Sequence, residues 1–214
     1  MSAHTRRRFL KHAAAGIAAG WSAASTIPVP AAAEPGKRFK KRFKKPFQPK
    51  LAICNETFGK WPLERAFGLA AECGYQGVEI APFTINTDVT EISARQRAQI
   101  RRLAEKAGLE VIGLHWLLAK TTGLHLTSPD KNVRQKTAQY LGALAGFCAE
   151  LGGKLLVFGS PRQRNLLPGV TPQQAMGYAA EVIRAALPVL EKAGVVLALE
   201  PLAPGVTTFM STAA

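Results

Sequence analysis

A unit of one strand followed by one helix recurs from residue 51 onward, and this repeat restricts the possible folds more than any other feature. The apolar segments that we interpret as strands are 51–54, 77–80, 110–116, 154–158 and 195–199. They are almost continuously apolar, which is typical of parallel strands that are covered on both faces. Repeated strand–helix units predict an α/β protein with a parallel sheet and right-handed crossovers.

The helical segments between these strands carry start signals. Ser93 with Gln96, and Thr171 with Gln174, each have the spacing of a capping box. Ser128-Pro129 predicts the start of the third long helix, because proline is favoured at the first helical position. These signals support helices of ordinary length between the strands.

Two architectures fit this repeat. A (β/α)8 barrel needs eight strands and about 250 residues, so a chain of 214 residues with five strands is short for one. By strand count a doubly wound sheet fits better, but such a sheet normally has a glycine-rich phosphate-binding turn after its first strand. The turn at 55–60 is not glycine-rich. The repeat alone leaves both architectures open.

Polar residues collect where the predicted strands end. They are Glu56 after the first strand, Glu79 in the second, His115 and Trp116 at the end of the third, Arg162, Arg164 and Asn165 after the fourth, and Glu200 at the end of the fifth. In a barrel all these ends converge on one face, where active sites lie. A carboxylate that follows an apolar strand is costly unless it is paired or bound to a metal. We therefore expect these side chains to share one site.

The N-terminus differs in composition from the rest. Residues 1–50 hold 12 of the 28 Lys and Arg residues and one of the 14 acidic residues, so most of the net charge of +14 belongs to this segment. Residues 5–11 resemble a twin-arginine export motif, and the apolar stretch that follows is interrupted by prolines. We predict a signal peptide at 1–33, a basic disordered linker at 34–50 and the folded domain at 51–214. The expected location is periplasmic or extracellular, with no stable membrane span in the mature form.

Three segments of the domain resemble the sugar phosphate isomerase/epimerase family, which has the xylose isomerase-like TIM barrel. They are Gly-Tyr-Gln-Gly-Val-Glu-Ile at 74–80, Gly-Leu-His-Trp at 113–116 and Leu-Ala-Leu-Glu-Pro-Leu at 197–202. The resemblance implies an incomplete (β/α)8 TIM barrel with about five β/α units. It also implies that Glu200 is a metal ligand and the catalytic base, and that His115 is a second metal ligand.

The activity that the resemblance implies is a metal-dependent isomerisation or epimerisation of a sugar or sugar phosphate. A divalent ion (Mn²⁺, Mg²⁺, Co²⁺ or Zn²⁺) would polarise a carbonyl, and Glu200 would move the proton at the neighbouring carbon. The polar residues at the strand ends other than Glu200 would bind substrate. They are Glu56, Glu79, His115, Trp116, Arg162, Arg164 and Asn165. Alternatively, Glu79 and His115 are structural partners of each other.

The sequence departs from this family at its C-terminus. It ends at Ala214, where a fifth helix should begin, so the metal ligands that relatives supply from strands six to eight are not in it. We therefore expect a truncated barrel with impaired activity and open edges at its first and fifth strands. The alternative function is a non-catalytic carbohydrate-binding or interaction module. We expect no specific nucleic-acid partner, and the chain is a candidate homo-oligomer.

Overall fold

A computed structural model describes residues 48–212, and the domain they form is built on one five-stranded parallel sheet. The strands are β1 (Ala52–Cys54), β2 (Gly77–Ile80), β3 (Glu110–His115), β4 (Leu155–Phe158) and β5 (Val196–Leu199). The predicted signal peptide and residues 34–47 of the predicted linker lie outside the described residues. Residues 48–50 are exposed and belong to no helix or strand.

The order of the strands decides between the two architectures. They follow one another across the sheet in the order β1-β2-β3-β4-β5, and every neighbouring pair is parallel. A doubly wound sheet reverses its strand order at a switch point. This sheet has no reversal, and its progress in one direction is that of a barrel wall. The described sheet is therefore a partial TIM barrel with five strands.

Four α-helices form the crossovers between successive strands. They are α1 (Leu63–Glu72), α2 (Ala94–Lys106), α3 (Lys131–Glu150) and α4 (Pro172–Ala193). Both predicted capping boxes are present, with Ser93 and Gln96 at the start of α2 and Thr171 and Gln174 at the start of α4. Each box satisfies two backbone groups that would otherwise lack a partner at the helix end.

The predicted start of α3 at Ser128-Pro129 is wrong by a few residues. The helix begins at Lys131, and Asp130 caps it because its carboxylate accepts a 2.8 Å hydrogen bond from the Asn132 N–H. Ser128 instead accepts a hydrogen bond from the backbone N–H of Asp130. Aspartate and serine are comparable as N-caps, so local preference did not distinguish the two positions.

The two faces of the sheet differ in burial. On the face that packs against the helices, five strand residues are fully buried: Val78, Ile80, Leu114, Leu156 and Phe158. They join the hydrophobic core together with apolar residues of all four helices. Burial of these side chains, at about 25 cal/mol per Å² of apolar surface, is the main force that holds the helices on the sheet.

The other face, which would line the interior of a barrel, carries the polar residues. The pairing registers place Glu79 beside Gly113, His115 beside Val157, and Val157 beside Ala198. Paired residues of parallel strands share a face, as do residues two apart on one strand. Of the inner-face residues, Gly113 is buried, but Glu79, His115, Val157 and Ala198 are only partly buried. The expectation of strands covered on both faces is therefore met more closely on the helix side than on the inner face.

The strands β1 and β5 are the two edges of the described sheet. On β5, Val196 is 63% exposed. The prediction of open edges at the first and fifth strands is therefore confirmed for residues 48–212. Within that range no helix is both long and apolar enough to span a membrane.

Candidate functional site

Three of the predicted site residues form a hydrogen-bonded cluster at the carboxyl ends of β2, β3 and β5. His115 Nδ1 lies 3.0 Å from Glu79 Oε2, and His115 Nε2 lies 3.3 Å from Glu200 Oε2. The imidazole therefore bridges two carboxylates that are 121 positions apart in the sequence. We call Glu79, His115 and Glu200 the acid–base cluster.

Strand register explains why these three side chains meet. Glu79 pairs with Gly113, and His115 follows Gly113 by two residues on the same face. A register shift after Val78 leaves Ile112 without a partner on β2, which moves Glu79 one step along β3 toward His115. Glu200 reaches the same face because it follows Ala198, the partner of Val157, by two residues.

The charge state of the cluster follows from its geometry. The hydrogen bond to Glu79 raises the pKa of His115 above its ordinary value, and Glu200 adds to this increase, although burial of the ring opposes it. A carboxylate near each ring nitrogen favours the imidazolium form, in which both nitrogens are donors. When the His115 ring is charged, each of its nitrogens therefore has a carboxylate acceptor.

The position of Glu200 depends on β4 and on the loop that follows it. The backbone N–H of Glu200 donates to the Phe158 carbonyl (3.2 Å), and the Glu200 carbonyl accepts a 2.7 Å hydrogen bond from Arg164 Nη1. The same guanidinium nitrogen donates to the Phe158 carbonyl at 3.2 Å. Arg164 is fully buried, and burial lowers its pKa. Arg164 thus links the ends of β4 and β5 through hydrogen bonds to one backbone carbonyl of each.

Gly159 leaves the space that the carboxylate of Glu200 occupies. A Cβ atom at this position would overlap Glu200 Oε2 and would lie 3.5 Å from His115 Nε2. The sequence patterns did not predict Gly159 as a site residue. The only available signal was its place directly after an apolar strand, at the level where the other strands carry their polar residues.

A cleft of about 460 Å³ lies beside the acid–base cluster. Glu56, Trp116 and Arg162 line it, together with Phe83, Ala119, Lys120, Thr121, Ser160, Pro161 and Gln163. The ring of Trp116 stacks beside that of His115, with their centroids 6.0 Å apart, and this contact joins the cleft to the cluster. We call this space the substrate cleft.

Two of the predicted substrate-binding residues lie elsewhere. Arg164 is fully buried. The side-chain oxygen of Asn165 accepts hydrogen bonds from Thr207 Oγ1 and the Thr208 N–H, both at 2.9 Å. Neither residue lines the substrate cleft. A loop sequence cannot show which of its side chains point outward, so the prediction grouped these two residues with Arg162.

Residues 67–214 match the family described as the xylose isomerase-like TIM barrel. The chain belongs to this family. The acid–base cluster and the substrate cleft are therefore features of a xylose isomerase-like barrel. No curated protein matches the sequence.

Solved structures of sugar epimerases share the fold of this family member. A D-psicose 3-epimerase from Clostridium cellulolyticum H10, solved with D-tagatose, is 18% identical with a TM-score of 0.64, and the match covers 77% of this chain and 56% of that one. The 3-keto-D-glucoside 4-epimerase of E. coli is 18% identical with a TM-score of 0.57, and the match covers 72% of this chain and 57% of the epimerase. This chain thus spans slightly more than half the length of these structures, and the likeness shows the fold.

The donor atoms of the cluster suit a divalent metal ion in part. The hydrogen bond from Nδ1 to Glu79 would leave Nε2 of His115 as the ligand atom, which is the usual arrangement for a metal-bound histidine. Nε2 and Glu200 Oε2 are 3.3 Å apart, close enough for both to contact one ion with bonds of about 2.0–2.2 Å. Within residues 48–212 no three His, Cys, Asp or Glu side chains are grouped so as to hold a metal ion. Two ligands fit, and they form only part of a coordination shell.

A second recess lies at the opposite end of the strands. It has a volume of about 510 Å³ and is lined by residues such as Glu110 and Lys154, which begin β3 and precede β4. It contains none of the predicted site residues. In TIM barrels this end of the strands contributes to stability, and the chemistry takes place at the carboxyl end.

Proposed function

We propose that this domain catalyses proton transfer at the carbon next to the carbonyl of a sugar or sugar phosphate, as an isomerase or epimerase does. The observation that carries the proposal is the acid–base cluster, in which one imidazole links two carboxylates at the rim of a partial barrel. The epimerase activity of proteins with the same fold supports it. The cluster supplies both a proton acceptor and a charged donor within one small site.

In this proposal Glu200 acts as the base. Its carboxylate removes the proton from the carbon next to the carbonyl, and the electron pair moves toward the carbonyl oxygen to form an enediolate. His115, held by Glu79, donates a hydrogen bond that stabilises the negative oxygen. For isomerisation, the hydroxyl proton passes to the former carbonyl oxygen and Glu200 returns its proton to the former carbonyl carbon. For epimerisation, water on the opposite face supplies a proton to the carbon that lost one, and Glu200 releases its proton to solvent.

When a divalent ion is bound, His115 Nε2 would be a metal ligand and no longer a hydrogen-bond donor, so the ion would supply the stabilisation of the negative oxygen in its place. His115 Nε2 and Glu200 are the residues that would hold it, and the ion would polarise the carbonyl and the adjacent hydroxyl of the sugar. Because His115 must release the proton on Nε2 to bind a metal, we expect metal affinity to rise with pH. The mixed nitrogen and oxygen donors suit Mn²⁺, Co²⁺ or Zn²⁺ better than Ca²⁺.

The substrate cleft would hold the rest of the sugar. Trp116 offers an aromatic wall next to His115, and Arg162 offers a cation at the rim. Aromatic walls with a few convergent polar groups are typical of small-molecule sites. Arg162 can pair with a phosphate group or donate to sugar hydroxyls, which suits both neutral and phosphorylated substrates.

Incorporation of deuterium from D2O tests this function directly. The wild-type chain, with added Mn²⁺ and a panel that includes D-fructose and D-tagatose, should exchange the carbon-bound hydrogen next to the carbonyl. Glu200→Gln should reduce the exchange rate at least about a hundredfold, because it removes the base. Glu191→Gln, which changes an exposed carboxylate on α4, is the matched control and should exchange like wild type. Equal exchange by the Glu200 variant would exclude Glu200 as the base.

The alternative is a carbohydrate-binding module without catalysis. The observation that favours it is that only two side chains in the described region can contact one metal ion. It predicts that sugars bind with the same affinity in the presence and absence of a chelator. Binding without any deuterium exchange would favour this function over the enzyme.

A further inference from the structure

We propose that the rim of this domain has a second sugar subsite, beside the substrate cleft, and that the ligand is therefore a glycoside of at least two rings. This inference rests on the proposed function, because it extends the same site. The second cleft has a volume of about 620 Å³ and lies at the carboxyl ends of β1 and β2. Its lining residues are Asn55, Glu56, Gly59, Lys60, Trp61, Leu63, Phe83, Thr84 and Lys120.

The two clefts are adjacent and together form a groove along the rim. They share three lining residues, Glu56, Phe83 and Lys120. The substrate cleft, at about 460 Å³, and the second cleft, at about 620 Å³, are each within the size range of small-molecule sites. Two adjacent clefts of this size indicate a ligand longer than a monosaccharide.

The second cleft has an aromatic surface of its own. Trp61 is 39% exposed, although large aromatic side chains are usually mostly buried. Arg65 packs over one face of its ring, with the guanidinium carbon 3.8 Å from the ring centroid, and Phe58 lies in a tilted orientation with 6.1 Å between the centroids. A ring that is both exposed and held in place is a ready surface for the apolar face of a sugar.

The junction of the two clefts offers both a donor and an acceptor. Glu56 and Lys120 line both spaces, and the ammonium of Lys120 lies 4.3 Å from the centroid of Phe83. Asn55 is not available, because its amide already bonds Thr84 Oγ1 and the Ala81 N–H. A carboxylate and an ammonium that line the same junction match the mixed hydroxyl and ring-oxygen groups of a sugar.

Backbone conformation supports a functional role for this part of the rim. Trp116 and Lys120 adopt left-handed conformations, with φ of 56° and 63°, and both line the groove. Non-glycine residues in this region carry a conformational cost and are concentrated at binding and catalytic sites. These conformations place Trp116 at the substrate cleft and Lys120 at the junction of the two clefts.

Calorimetric titration with matched sugars tests the inference. D-glucose and D-fructose serve as monosaccharides, and cellobiose and lactulose as the corresponding disaccharides. We expect the better disaccharide to bind the wild-type chain about tenfold more tightly than its monosaccharide. Trp61→Ala should remove this advantage while leaving monosaccharide affinity within about twofold, since the stacking surface of one ring is lost.

Two further variants serve as controls. Trp61→Phe keeps an aromatic ring and should retain most of the preference for disaccharides. Met176→Ala changes an exposed apolar side chain on α4 that lines neither cleft, and it should bind like wild type. Equal affinity for mono- and disaccharides, or equal losses of both in Trp61→Ala, would overturn the second subsite alone. Failure of all four sugars to bind would contradict the proposed function as well.

Discussion

The two halves of the acid–base cluster are supported in different ways. Glu79 and His115 come from the neighbouring strands β2 and β3, which both have partners on each side, and their contact is 3.0 Å. Glu200 follows the edge strand β5, and its contact with His115 is longer, at 3.3 Å. The side chain of Glu79 is 17% exposed and that of Glu200 is 35% exposed.

This difference suggests a division of roles. The central pair is fixed by strand register, so it can orient the imidazole and hold its charge. The edge carboxylate is held through its backbone by Arg164, while its side chain depends on the open space above Gly159. A base has to be oriented toward the reacting carbon, and the fixed main chain of Glu200 contributes to that orientation. Substitutions of Gly113 and Gly159 distinguish a rigid central half from an adjustable edge half.

The largest effect should follow from Gly113→Ala in the central half. A Cβ atom here would overlap the carbonyl of Leu155 in β4, and backbone in the middle of a sheet cannot move aside. We expect a loss of about 3–4 kcal/mol in the free energy of unfolding, measured by urea denaturation. A loss below about 1 kcal/mol would contradict the rigidity of the central strands.

Gly159→Ala should change stability little and activity strongly. The added methyl would meet the end of a flexible side chain, Glu200, so the fold should lose less than about 1 kcal/mol. The carboxylate would have to turn away from His115, and we expect deuterium exchange into the sugar to fall at least about tenfold. Wild-type exchange by this variant would show that the position of the carboxylate is not critical.

The dependence of stability on pH tests the charge of His115. Its pKa is raised in the folded domain above the ordinary 6.5. The stabilisation is therefore fully present below about pH 6.5 and is lost as the pH rises through the folded pKa. Urea midpoints should show this loss in the wild type but not in His115→Asn. A parallel pH profile for the two proteins would mean that His115 is not stabilised as a cation.

The smallest effect is expected from Gly177→Ala in α4, far from both halves. No atom lies within 4 Å of the added methyl, and the residue is in a helix. Alanine should stabilise the domain by about 0.5–1 kcal/mol through its higher helix propensity. This variant also shows that a glycine-to-alanine change is harmful only where the space is used. A destabilised variant would undermine that interpretation of the other two glycines.

The sequence predicted the fold better than the surroundings of the site. All five strands were predicted from their apolar runs, because parallel strands read as continuous apolar segments. The meeting of Glu79, His115 and Glu200 was also expected, since strand ends converge in a barrel. Local sequence patterns do not show which strands are neighbours in the sheet. The adjacency of the strand ends follows from the strand order in the structure.

The remaining features depend on contacts between distant residues. Gly159 is important because the carboxylate of Glu200, which follows the next strand, occupies the space that a side chain at position 159 would fill. The difference between exposed Arg162 and buried Arg164 depends on how one loop folds over β5. Trp61 lies on the rim only because the loop after β1 turns at Gly59, whose φ is 60°. Neither composition nor periodicity contains this information.

Titration of the His115 ring by NMR tests the central claim most directly, because the claim is that this imidazole joins two carboxylates into one site. The signal is assigned with His115→Asn, and the pKa is compared in wild type, Glu79→Gln and Glu200→Gln. We predict a pKa above 6.5 in the wild type, a large decrease in Glu79→Gln and a smaller one in Glu200→Gln. A wild-type pKa at or below 6.5, or the same pKa in all three proteins, would contradict the account.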